Sequence, residues 1–253
     1  VKLEALRWGS GDRNCLLLHG IGSNAAGWWR LAESLVERGW AVAAPDLRGH
    51  GTSEKSDDYT FEAHIADVLA LGAHWDAVLG HSMGGTIATL TIDRNPEWAN
   101  ALILQDPALA MPDSQEDILR WLLDDFSRPL TSDQIAGDHP RWLRRDAEIK
   151  AEALRQAGEE MVAETVKVNW PWLALDEAAR IQVPTRIIGS DPETGGILPV
   201  AIGRWLAESN PLIDYLMLPG SSHSAHRDDD AYRAYLEAVI GGIERPPTLR
   251  QEQ

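Results

Sequence analysis

Short runs of apolar residues recur along the chain at intervals that predict strands at 2–8, 14–19, 40–45, 76–81, 101–106, 184–189 and 213–218. Several are apolar almost throughout, as in Cys15-Leu16-Leu17-Leu18 and Leu102-Ile103-Leu104. That is the pattern of strands covered on both faces. Segments of helical spacing lie between them, at 28–38, 60–74, 83–95, 197–209 and 229–240. In 60–74 the spacing sets Phe61, Ile65, Val68 and Leu69 on one side. Strands alternating with helices predict an α/β fold, a parallel sheet flanked by helices with right-handed connections.

Residues 107–178 break the alternation. They contain charged, helix-favouring runs interrupted at Pro112, Pro129, Pro140 and Pro171, and no strand pattern. The expected organisation is a core from 1–106 and 179–245, a helical cap from 107–178 over one end of the sheet, and a frayed tail from 246 to 253. Four of the eleven tryptophans fall in the cap segment: Trp121, Trp142, Trp170 and Trp172. They form either the cap's own small core or, with Trp28, the wall of an apolar substrate pocket.

Composition narrows the function. With 23 Lys and Arg against 39 Asp and Glu the formal charge is −16. This is the wrong sign for nucleic acid or an anionic membrane surface. No apolar run approaches the roughly 20 residues that span a bilayer. The one cysteine, Cys15, lies inside an apolar run and reads as a small core residue. Without disulfides or an apolar leader, the expected location is cytoplasmic. Oligomeric state is left open.

The chemistry concentrates in loops after strands. Gly80-His81-Ser82-Met83-Gly84-Gly85 follows an apolar run and opens a helix. A serine at such a sharp strand-to-helix turn stands clear of the sheet above a helix N-terminus. Its hydroxyl needs a base. His223, in Pro219-Gly220-Ser221-Ser222-His223 after the last strand, is the first candidate, with His226 its rival. A metal site built from these histidines and Asp228–Asp230 is the weaker reading, because the acids suit the first turn of the last helix. The histidine needs a carboxylate. Asp191, which Pro192 biases to an extended conformation, is the first choice, with Asp106 and Glu193 as alternatives. The backbone N–H groups of Ile21, in Leu18-His19-Gly20-Ile21-Gly22, and of Met83 are candidate oxyanion donors. His19 is expected to brace its loop. Asp46-Leu47-Arg48-Gly49-His50-Gly51 reads as an architectural turn, with Asp46 and Arg48 as a candidate pair.

Taken in order, these motifs resemble the α/β-hydrolase superfamily over roughly residues 1–243. The resemblance implies a mostly parallel eight-stranded sheet, a helical cap inserted after the sixth strand, and a Ser–acid–His order, which Ser82, Asp191 and His223 obey. Many relatives carry the acid as Gly-x-x-Asp after the penultimate strand, where this chain has Pro192. Others carry it after the sixth strand, which keeps Asp106 in contention. Relatives with an aspartate nucleophile, such as epoxide hydrolases and haloalkane dehalogenases, are set aside by Ser82. The implied activity is hydrolysis of a carboxylic ester or lactone of a small-to-medium apolar or aromatic molecule, with neither metal nor organic cofactor. C–C bond hydrolysis is the runner-up, using Arg141, Arg144 and Arg145 to hold an enolate, and a non-catalytic binding protein comes third.

Overall fold

A computed structural model describes residues 1–111, 114–245 and 247. The strands are β1 (Ala5–Trp8), β2 (Arg13–Leu18), β3 (Trp40–Pro45), β4 (Ala77–His81), β5 (Leu102–Gln105), β6 (Thr185–Gly189) and β7 (Ile213–Met217). The helices are α1 (Trp29–Val36), α2 (Phe61–Ala70), α3 (Met83–Arg94), α4 (Gln115–Leu123), α5 (Ser132–Asp138), α6 (Arg144–Ala157), α7 (Glu159–Val168), α8 (Leu175–Ala179), α9 (Val200–Ser209) and α10 (Tyr232–Glu244). The described strands form one sheet of seven, ordered β1-β3-β2-β4-β5-β6-β7, with β1 antiparallel to β3 and the rest parallel. That is one strand fewer than the resemblance implies, so the helical insertion follows β5.

Strand periodicity divides the core into two layers. Leu16, Leu18, Val78, Leu102, Leu104 and Ile187 point to one face, where α2, α3 and α9 cover them through Val68, Ile87, Ala88 and Leu206. Cys15, Leu17, Ala77, Leu79, Ile103 and Ile188 point to the other, under Leu31 and Leu35 of α1 and Tyr235 and Val239 of α10. Burial on both faces explains why these strands read as continuous apolar runs. Cys15 is fully buried, and desolvation pushes its thiol up to about 12. The α2 stripe packs as its spacing predicts, with Ile65 and Val68 buried and Phe61 and Leu69 partly so. Thr60 caps that helix by accepting from the Ala63 N–H at 3.3 Å.

Helices α4 to α8 all lie between β5 and β6. Ile135, Ala147, Ala151 and Leu154 join α5 to α6 in a small apolar cluster. The expected helix break at Pro112 and the expected tail fall outside the described residues, Pro247 excepted. Among those described, no helix is long and apolar enough to cross a membrane.

Candidate active site

Ser82 sits between β4 and α3 with φ 53° and ψ −120°, a conformation a non-glycine residue adopts only under constraint. Four backbone hydrogen bonds supply it. The Ser82 N–H donates to the Gln105 carbonyl at 3.1 Å, and the Ser82 carbonyl accepts from Gly85, Thr86 and Ala108 at 2.9–3.2 Å. The turn is tight enough to demand glycine on either side. A Cβ on Gly80 would lie 2.4 Å from the Gly84 carbonyl oxygen, and one on Gly84 would lie 2.2 Å from that of Leu18.

His223 reaches over the same turn. Its Nδ1 donates to Asp106 Oδ2 at 2.6 Å. Asp106 follows β5 with φ 37° and is fully buried. Its carboxylate also accepts from the backbone N–H groups of Ile197 (3.0 Å) and Leu198 (3.1 Å), with Ser190 at 3.4 Å. These fixed donors orient both oxygens before the imidazole arrives.

Asp191, the first choice from sequence, is therefore corrected. Its backbone is extended, as Pro192 dictates. Its carboxylate, however, turns back to accept from Gly220 N–H at 2.7 Å and Glu193 N–H at 2.9 Å, capping the turn Pro192–Thr194. Those two bonds, Gly220 first, hold its acid below the usual range. Glu193 is exposed and shares no hydrogen bond or ion pair with His223 among the described residues. His226, the rival base, is buried, and its Nδ1 accepts from the Gln105 amide at 2.9 Å. Desolvation, with Arg227 next to it in sequence, pushes its basicity far down.

The loop carrying Ile21 is braced by two neutral histidines. Leu47 N–H donates to His19 Nε2 at 3.0 Å, which leaves His19 Nδ1–H to donate to the Gly20 carbonyl at 2.8 Å. Gly22 N–H donates to His50 Nε2 at 3.1 Å, and His50 Nδ1–H donates to the Arg48 carbonyl at 3.0 Å. Desolvation lowers His19 to about 4 and His50 to about 3, so both rings stay uncharged at neutral pH. Asp46 and Arg48 do not pair. Asp46 accepts from the Ala25 and Thr52 N–H groups, whereas Arg48 binds Asp67 at 2.7 Å. Among the described residues the N–H groups of Ile21 and Met83 are committed to no acceptor.

A cavity of about 290 Å³ opens between these loops and the inserted helices. Ser82, His223, Ile21 and Ser23 line its floor, and Trp121, Phe126, Trp142 and Leu154 line its walls. Trp121 is half exposed with its ring centroid 6.2 Å from that of His223. Trp142 is stacked on His139 at 3.9 Å. The other tryptophans lie elsewhere. Trp28 is buried under His226, Trp170 packs against the main core, and Trp172 is a core residue whose Nε1–H donates to the Ala108 carbonyl at 2.8 Å.

The charges at the site differ from expectation. Arg141 is tied to Asp230, Arg144 to Asp133, and Arg145 lies over Trp29, so none faces the cavity. Lys150, Asp125 and Arg227 do, and no sequence pattern singled them out. Asp228, Asp229 and Asp230 precede α10 rather than forming its first turn. Asp228 accepts from the Ser222 N–H at 2.6 Å and hydroxyl at 2.9 Å, bracing the segment before His223. Among the described residues no three His, Cys, Asp or Glu side chains gather as a metal would require.

The family described as serine aminopeptidase, S33 matches residues 9–190. Lipase LipV of Mycobacterium tuberculosis is 37% identical over 120 residues, covering 46% of this chain and 45% of that protein. A serine hydrolase-like protein of Danio rerio is 30% identical over 188 residues, covering 71% of this chain and 53% of the relative. The chain thus spans about half the length of these curated relatives. Among solved structures, an esterase from Exiguobacterium antarcticum superposes with a TM-score of 0.79 at 17% identity, covering 96% of this chain and 95% of the other. At that identity the likeness speaks for the fold alone.

Proposed function

The chain belongs to the serine aminopeptidase S33 family of α/β-hydrolases, and from that premise we propose that it cleaves a carboxylic ester or lactone through an acyl-enzyme. One observation carries the proposal: the Asp106–His223 pair and the strained Ser82 turn meet at the floor of one cavity. In this reading Asp106 fixes His223 with its proton on Nδ1, which leaves Nε2 free to take the proton of Ser82. The serine oxygen attacks the carbonyl, and the charge that develops falls to the N–H groups of Ile21 and Met83. Met83 also opens α3, so the helix dipole favours negative charge there. His223 then returns the proton to the leaving alkoxide, and water, activated by the same histidine, releases the acid. Trp121, Phe126, Trp142 and Leu154 offer an apolar and aromatic wall suited to a small or medium substrate.

The experiment is turnover of a panel of p-nitrophenyl esters and γ-lactones, with rapid-quench intact mass. Ester turnover with a transient acyl adduct is expected. Turnover of a vinylogous diketone with none of the esters would replace this reading with C–C bond hydrolysis.

A further inference from the structure

Arg227 is 2% exposed, yet it lines the cavity that holds Ser82. Its Nη2 donates to the Ser23 hydroxyl at 2.8 Å, and its Nε–H has no acceptor among the described residues. No carboxylate of the described residues lies within 4.0 Å of it. The guanidinium carbon stands 4.9 Å from the Trp142 ring centroid. The other two charges on the cavity wall cancel, since Lys150 is 3.3 Å from Asp125 and also donates to the Gly22 carbonyl at 3.2 Å. The side chains that line the cavity therefore carry one net positive charge inside a chain of net charge −16. Buried Asp146, with Asp125, attracts Arg227 from beyond ion-pair distance. A desolvated guanidinium with an unpartnered Nε–H is nevertheless costly to keep, and its planar fork matches a carboxylate.

We propose that the substrate carries a carboxylate apart from its scissile bond, and that Arg227 receives it beside Trp142. The inference rests on the hydrolase reading of the same cavity and names its substrate class, a hemiester or carboxylated lactone. Arg227 holds Ser23, two residues beyond Ile21, so the bound carboxylate also settles the loop that offers the oxyanion donor. The carboxylate binds without reacting, and the ester chemistry stays at Ser82.

The test uses Ser82→Ala protein, where binding is read without turnover. Titration calorimetry compares monomethyl succinate, glutarate and adipate with their dimethyl esters. At least one monoacid should bind at least tenfold more tightly than its diester. Adding Arg227→Gln should remove that margin, and Arg227→Lys should keep part of it. If the Gln variant does not fold, the monoacid–diester margin and the Lys variant decide the question. Failure of every monoacid to outbind its diester overturns the proposal, as does a margin that survives Arg227→Gln. With Ser82 in place, the kcat/KM ratio of p-nitrophenyl hemiglutarate to p-nitrophenyl valerate should fall at least tenfold in Arg227→Gln, through KM. An equal loss on both esters would mean that Arg227 only holds Ser23, and would overturn the proposal. Because the calorimetry needs no nucleophile, a dead Ser82 and an empty carboxylate site give different results.

Discussion

Replacing Asp106 with Asn changes one atom of the site and reverses its logic. The carboxylate now accepts from His223 Nδ1–H and from the amides of Ile197 and Leu198, and every partner is a donor. An asparagine keeps one accepting oxygen and presents an NH2 where a second acceptor stood. If the NH2 takes the Oδ2 place, it faces both His223 and Ile197. The imidazole must then move its proton to Nε2, where it cannot take one from Ser82, and the partly buried Ile197 N–H loses its acceptor. If it takes the Oδ1 place instead, His223 keeps its acceptor but the buried N–H groups of Leu198 and Ser190 lose theirs, at about 1–3 kcal/mol of stability each. The first arrangement should prevail, because it orphans one partly buried N–H rather than two buried ones. The tautomer error costs about 10,000-fold in kcat in serine triads, equivalent to about 5 kcal/mol at about 1.36 kcal/mol per decade. Asp191→Asn is the control. It touches only two amides of a surface turn and should change kcat less than about threefold, with the melting temperature close to that of the parent. The assay is kcat on p-nitrophenyl butyrate, with thermal melts to show that both variants fold. Asp106→Asn within tenfold of the parent, or a thousandfold loss in Asp191→Asn, would refute the assignment.

Other outcomes follow from the same geometry. Gly84→Ala would drive a Cβ to 2.2 Å from the Leu18 carbonyl oxygen and should cost about 3 kcal/mol or more, seen as a lower melting temperature or loss of soluble protein; an unchanged melt would contradict the packing. His19 and His50 have basicities depressed from about 6.5 to about 4 and about 3. Their stabilising effect is complete above pH 6.5 and drains as pH falls toward those values, because the unfolded chain takes up protons the native state refuses. Urea midpoints should therefore decline from about pH 6.5 to pH 4, and a flat profile across that window would count against two buried neutral rings. Trp142→Ala opens the cavity wall and should raise KM for aryl-acyl esters roughly tenfold relative to acetyl esters; equal KM changes on both would remove Trp142 from the pocket.

The strands were legible because both faces of β2, β4 and β5 are buried, and burial on both faces writes itself into the chain as an unbroken apolar run. Ser82 was legible because its turn needs glycine at fixed offsets. The choice among acids was not. Asp106 and Asp191 both stand at strand exits, and Pro192 set the backbone of Asp191 correctly without deciding what its side chain would meet. That was decided by the segment Ile197–Leu198 and the loop before His223, contacts 91 and 117 residues away along the chain from Asp106. The one local sign was chemical: aspartate tolerates positive φ better than most residues, and Asp106 has φ 37°. The acids at 228–230 misled for a related reason, since a helix start and a loop brace look alike in sequence. Arg227 gave no signal at all, because its burial depends on the helices of 107–178 folding over it. Two of the five tryptophans singled out, Trp121 and Trp142, line the cavity, and Trp172 went to the core because its indole N–H finds the Ala108 carbonyl there.

The most direct measurement is reaction with a fluorophosphonate, read by intact mass and peptide mapping on the parent and on Ser82→Ala. A single adduct on Ser82, absent from a folded Ser82→Ala, is the predicted result and marks an activated serine. No adduct on the folded parent, or one on another residue, would contradict it and leave a binding protein on a hydrolase fold.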